Sequence, residues 1–320
     1  MYLSRAIYIL VYVIGFTLPV RAEAPPNVVV SIPPLHSLAA ALLEGVGEPT
    51  LLLEAGFSPH AYALKPSSAR RLAKADLVFW AGPELETFLE KFLKALEAEK
   101  GGKVHALLHA PEIYRLKARA SHKENAVPEE DGESEGSQED RGGEMRIDPH
   151  FWLDPENALL AATVIANRLA EADPAREEIY RRNLTKLGLA LRTLDSELTE
   201  KFRPIAGIPY LAFHDAYAYL DRRYSLGPSE AIAIDPEQRA GTRRLIELRK
   251  TIAKGGFRCL FHEPQFVSAL VDRLAEGTDL RVDELDPLGS GFVPGPKLYF
   301  EMMRKNASHL ARCLRPAGSG

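Results

Sequence analysis

The sequence predicts an α/β fold: two (β/α) domains joined by a single long spine helix. Three observations carry this expectation. Short apolar runs of buried-strand type alternate with helical patterns from about residue 27 to 108, and again from 210 to the C-terminal end. Between these blocks a charged run from Pro174 to about Phe202 repeats Ile179, Leu184, Leu187, Leu191 and Leu194, the period of one amphipathic helix. The 320 residues, 46% of them apolar, are enough for two cores of ordinary size.

The first block opens with the strand Val28-Val29-Val30, which runs into Pro33-Pro34 and a helix from about Leu35 to Val46, ended by Gly47. A second strand over Thr50 to Leu53 leads to Gly56-Phe57-Ser58-Pro59-His60-Ala61-Tyr62, past a strand end, where open α/β sheets place ligands. A helix from Pro66 to Ala75, the strand Leu77 to Trp80, a helix over Pro83 to Leu96 and a short strand from Val104 complete the block. Residues 121–147 break every period. Glu124 to Glu144 carries nine acidic residues and one arginine, the composition of a solvated insert, with His122 a weak ligand candidate beside it.

Asp148-Pro149-His150-Phe151-Trp152-Leu153-Asp154-Pro155 then forms a stiff corner before a helix over Glu156 to Leu169 and the spine. In the second block a strand from Tyr210 delivers His214 at its end, with Asp215 expected to cap a helix over Ala216 to Tyr224. Strands over Ala231 to Ile234, Cys259 to Phe261 and Arg281 to Leu285 follow. Helices from Pro236 to Lys254, from Pro264 to about Ala275 and from Lys297 to Leu314 accompany them, and no fixed-period repeat is visible. The expected division is 1–24 signal peptide, 25–155 N-terminal domain with the acidic loop 121–147, 156–204 linking helices and 205–316 C-terminal domain.

Residues 1–24 read as an export signal: Arg5, an apolar run from Ala6 to Val20, and small residues for cleavage near 22–24. The run is shorter than the ~20 residues a bilayer core needs, so no stable membrane insertion is expected. The net charge of −4, with both signs interspersed, argues against a nucleic-acid partner. The two cysteines, Cys259 and Cys313, fit one disulfide in an exported protein, with two buried free thiols as the alternative.

Histidines carry the chemistry. His60, His150 and His214 each sit at a strand end or in a proline-bounded loop, and three neutral imidazoles plus one oxygen make a four-coordinate zinc site. Asp286, also at a strand end, is the candidate fourth ligand, with Glu263 in reserve. His36 is a candidate for the mouth of the cleft, while His105, His109, His262 and His309 read as local or packing groups. His262-Glu263-Pro264 breaks the HExxH pattern of a zinc hydrolase, and no nucleophile elbow, Walker loop or dinucleotide fingerprint is present, so no enzymatic activity is expected.

Taken together, Gly56 to Ser67, Ala75 to Val78, Asp148 to Pro155, Phe213-His214-Asp215-Ala216-Tyr217 and Glu284 to Gly289 resemble the metal-binding (cluster A-I) solute-binding proteins of ABC importers, in particular the periplasmic high-affinity zinc-uptake branch. The resemblance spans about residues 27–314. It implies a periplasmic monomer that holds one Zn2+ in the cleft between its domains, through His60, His150 and His214 with Asp286 either a direct ligand or near the ion, and hands it to an inner-membrane permease powered by a separate ATPase. It also implies the Cys259–Cys313 disulfide. Manganese binders of this family typically have glutamate where His214 stands, which favours zinc here. The alternatives are a manganese or iron carrier on the same scaffold, or a metal-dependent surface adhesin. The acidic run replaces the histidine-rich loop of many zinc-binding relatives.

Overall fold

The structure is a computed structural model and describes residues 24–54, 56–119, 146–233, 242–254, 256–266 and 269–315. The export signal, except Ala24, and the acidic run lie outside the described residues.

Strands β1 (Val28–Val30), β2 (Thr50–Leu51), β3 (Leu77–Trp80) and β4 (Val104–Ala106) form a parallel sheet in the order β2-β1-β3-β4. Helices α1 (Pro33–Leu42), α2 (Pro66–Lys74) and α3 (Thr87–Lys100) connect them. The second sheet, β5 (Tyr210–His214), β6 (Ser229–Ala233), β7 (Cys259–His262) and β8 (Arg281–Glu284), is also parallel, in the order β6-β5-β7-β8. The two lobes therefore share one topology although no sequence repeat announces it. In each, the order reverses beside the first strand, and the carboxyl ends of β1/β3 and β5/β7 flank a natural crevice.

Asp154 starts α4 (Pro155–Ala172): its carboxylate accepts from Glu156 N at 2.9 Å, and Pro155 occupies the first turn, where a missing N–H costs nothing. The spine, α5 (Glu177–Phe202), is about 39 Å long at 1.5 Å per residue. It begins three residues later than the periodicity predicts, because Pro174–Arg176 forms a 3-10 turn between α4 and α5. Leu187, Leu191, Leu194, Leu198 and Phe202 bury one face, joined by Tyr180 where Ile179 was expected.

Helices α6 (Ala218–Tyr224), α7 (Thr242–Ala253), α8 (Ala269–Ala275) and α9 (Leu298–Leu314) complete the second lobe. Asp215 does not cap α6, which starts at Ala218 without a side-chain cap; its carboxylate faces Arg119 instead, 3.3 Å away. The chain before Thr242, from 234 to 241, is outside the described residues, so the expected start of α7 at Pro236 falls there.

One apolar core runs unbroken from β1 and α1 through Trp152, α4 and α5 to β5, β7 and α9, while smaller cores lie under the outer faces of the two sheets. Trp152 donates its indole N–H to Pro287 O (2.8 Å), and Tyr299 O–H reaches Trp152 O (2.8 Å), crossing between lobes. Continuous packing and these two hydrogen bonds thus join the lobes. Cys259, at the start of β7, and Cys313, near the end of α9, form the disulfide, with a Cα–Cα distance of 6.0 Å.

Candidate metal centre

The loop after β2 carries the first histidine. Gly56 adopts φ +86°, a backbone conformation other residues take only under strain, and turns the chain so that Phe57 and Tyr62 meet edge to face at 5.6 Å with Lys65 over both rings. His60 lies between them, half-buried, its N–H directed to Ser58 Oγ at 3.3 Å. His150 is set by an Asx turn: Asp148 Oδ1 accepts both the backbone N–H of His150 (2.9 Å) and its ring Nδ1 (2.8 Å). Trp152 packs edge-on against that ring. His214 is the last residue of β5, and Glu263, one residue beyond β7, holds its Nδ1 at 2.5 Å.

These placements bring the three rings together. Their centroids are 5.7, 5.6 and 5.1 Å apart, and one nitrogen from each lies within 4.8 Å of the other two. His150 Nε2 and His214 Nε2 face each other at 3.2 Å. Two nitrogens on a tetrahedral Zn2+ at 2.0–2.1 Å stand about 3.4 Å apart, so this pair already has nearly the bite of the ion. Both partner carboxylates occupy the far ring nitrogens, which fixes the tautomer and turns the Nε2 lone pairs inward. The space beside them is a cavity of ≈ 10 Å³, lined by Leu85, Trp152, Phe266, Pro287 and Leu288 among others. That is room for about one small occupant.

Electrostatics suit a cation. Burial pushes the His150 imidazole well below its ordinary pKa, with repulsion from His214 adding to it, so the ring is neutral. Burial also raises Asp148 to about 7, against the pull of the His150 N–H and of His214. For His214 burial works downward, yet attraction and hydrogen bonding from Glu263 outweigh it and hold the pKa above the usual value. Ligation of a metal ion through Nε2 takes the deprotonated form of that nitrogen.

The structure does not bring Asp286 into the histidine group. Its Oδ1 accepts from Leu288 N and Gly289 N (both 3.0 Å) and from Gln265 Nε2 (2.9 Å), and its Oδ2 accepts from Ser290 N (2.6 Å). That carboxylate shapes the loop carrying Pro287 and Leu288 along the cavity. The remaining described histidines lie elsewhere. His36 is buried in α1 with Nε2 bonded to Pro49 O, so it does not line the mouth. His105 stacks on Phe79, His109 pairs with Glu84, and His309 bonds Glu284 O. Sequence reasoning missed Asp148 as a partner and held Glu263 only as a reserve ligand. The Asp-x-His spacing was the available signal for the first; nothing local signals the second, which is 49 residues from His214.

The chain from residue 28 to 313 matches the family model described as zinc-uptake complex component A, periplasmic (ZnuA). It is 36% identical to the high-affinity zinc uptake system protein ZnuA of Brucella abortus, covering 95% of this chain and 96% of that protein. It is 35% identical to the protein of the same description from Yersinia pestis, with 91% and 92% covered. Among solved structures, a crystal structure of ZnuA superposes with a TM-score of 0.73 at 24% identity, covering 91% of this chain and 99% of that one. The laminin-binding protein Lmb of Streptococcus agalactiae, described as having adhesin and metal-transporting activity, gives 0.72 at 21% identity, with 91% and 100% covered, a likeness of fold alone. The extent of the match and the identity to these relatives lead to one conclusion: the chain belongs to the ZnuA family of periplasmic zinc-uptake components.

Proposed function

We propose that this chain captures Zn2+ in the periplasm with high affinity and delivers it to an ABC-type inner-membrane importer, as a carrier and not a catalyst. The observation that carries this is the trio His60, His150 and His214, two of them backed by buried carboxylates, at the crevice between two lobes. Three imidazole nitrogens are a donor set for zinc over manganese, which prefers oxygen. In this reading the three histidines are the protein's ligands, and a solvent oxygen in the small cavity completes four-coordination. Asp286 supports the cavity wall, its oxygens being engaged by the N–H groups of its own loop and by Gln265.

In this reading the domains span 25–155 and 205–316 about linking helices in 156–204, and the carrier acts as a monomer after signal cleavage near 22–24. Family membership supports a permease with its ATPase as the partner. The test is a chelator-competition titration of the mature, metal-free protein with Zn2+ and separately with Mn2+. One tightly bound Zn2+ per chain, with far weaker Mn2+, is expected, and His60→Ala, His150→Ala and His214→Ala should each weaken zinc binding strongly while melting like wild type. Wild-type zinc affinity in all three variants refutes the ligand assignment, and tighter manganese refutes the cargo.

A further inference from the structure

The described stretch after β4, as far as residue 119, leaves the first lobe and lies along the second, as does the chain from residue 146 to the His150 corner. Tyr114 exchanges two hydrogen bonds with Asn157 (3.0 and 2.9 Å), and the Arg222 guanidinium sits 3.9 Å from the centre of its ring. Leu116 N donates to Tyr219 O–H at 2.9 Å. The returning strand pairs with it: Ala118 N reaches Arg146 O (2.8 Å) and Asp148 N reaches Leu116 O (2.9 Å). Tyr219 O–H closes the arrangement by donating to Asp148 O at 3.0 Å.

Arg119 is the outermost described residue on the outgoing side, and its guanidinium plugs into the second lobe. Nη1 bonds Ser229 O and lies 3.3 Å from Asp215 Oδ1, while Nη2 reaches Ser229 Oγ (3.0 Å) and Asp221 Oδ2 (3.4 Å). Asp221 is itself held by Ser229 Oγ (2.5 Å) and Tyr210 O–H (2.6 Å). One planar fork thus bridges the end of β5, α6 and the first residue of β6, a geometry lysine cannot reproduce.

The two anchors end beside the metal ligands. Asp215 adjoins His214, and Tyr219 fixes the carbonyl of Asp148, whose carboxylate holds His150. The continuous apolar core that also joins the lobes is not directional, whereas this polar network fixes particular atoms beside the two ligands. Separating His150 from His214 therefore requires the polar side to open.

We propose that Arg119, seconded by Tyr219, is the latch of the cleft: a positioning residue that holds His150 and His214 in register and slows the release of the bound ion. This rests on the zinc reading above. A loosened register weakens the fully ligated state more than the first encounter of the ion with one imidazole, so the effect falls mainly on dissociation.

The test uses the full mature chain, with Arg119→Lys, which keeps the charge that balances Asp215 and Asp221, and Tyr219→Phe, which removes one hydroxyl. Zinc release into excess chelator is followed by stopped flow, and the association rate and metal-free melting temperature are measured alongside. Each variant should release zinc roughly tenfold faster with its association rate within about twofold of wild type, the pattern when a contact that supports the bound state is lost. Metal-free melting should stay near wild type in Tyr219→Phe. Wild-type release rates in both variants, with or without lowered melting, overturn the latch and leave a purely structural role. Wild-type protein that binds no zinc in the same experiment instead overturns the zinc reading, so the two failures are distinguishable.

Discussion

Replacing Glu263 by glutamine separates a supporting role from direct ligation. Glu263 is 2% exposed, with Oε1 2.5 Å from His214 Nδ1 and 3.5 Å from Tyr217 O–H. It keeps the proton on Nδ1, which leaves Nε2 for the ion, and places a negative charge behind an imidazole that must give density to a cation. Glutamine keeps the shape and an accepting oxygen but loses the charge. Outer-shell changes of this kind cost about 10- to 100-fold in metal affinity, roughly 1.4–2.8 kcal/mol. The metal-free fold should not suffer, because a neutral amide costs less to bury than a carboxylate. Competition of the purified variant against a zinc chelator at fixed neutral pH, with melting curves of the metal-free form, reads both quantities. Unchanged affinity would refute the outer-shell argument, and a loss of many orders of magnitude would place Glu263 on the ion itself.

Two further predictions concern stability. Glu86 is fully buried, its Oε2 accepting from Ala81 N (2.8 Å) and Gly82 N (3.2 Å), and burial lifts its pKa to about 7 against the pull of Ser31 and those N–H groups. A carboxyl raised in the folded state binds more protons there than in the unfolded chain, so its contribution to stability is present below about pH 4.5 and is lost as pH rises toward 7. The size is on the order of 3 kcal/mol, and Glu86→Gln should gain stability relative to wild type at pH 8 but much less at pH 5; a difference independent of pH sinks the argument. The disulfide closes a loop with a sequence separation of 54, and Cys313→Ser with Cys259→Ser should lower stability by about 4 kcal/mol in denaturant titrations on the chain-entropy account. Zinc binding at the histidine trio should survive in the folded fraction, and loss of binding in the fully folded double variant would contradict a purely stabilising role for the disulfide.

Much of this architecture was legible in the residues. The valine run of β1, the Leu187/Leu191/Leu194 stripe of α5 and the Asp154-Pro155 helix start each encode their element locally, through burial period or capping. His60, His150 and His214 were legible because prolines and strand ends mark rigid loops at a sheet's carboxyl edge. What local pattern does not encode is contact between segments distant in sequence. Asp215 follows His214 in the manner of a helix cap, yet Arg119, 96 residues earlier, takes its carboxylate. Asp286 likewise ends a strand as a ligand would, but the Leu288, Gly289 and Ser290 N–H groups curl onto it and turn it into a loop-former. The shared topology of the lobes is invisible for the same reason: two sheets of equal order are built from unlike residues.

The central claim is that three imidazoles drawn from both lobes hold one zinc ion. X-ray absorption spectroscopy of the protein loaded with one equivalent of Zn2+ tests it most directly. A four-coordinate shell with three imidazole nitrogens at about 2.0–2.1 Å and one oxygen is expected, one imidazole being lost in His214→Ala. A shell dominated by carboxylate oxygens, or the same imidazole count in that variant, would contradict it.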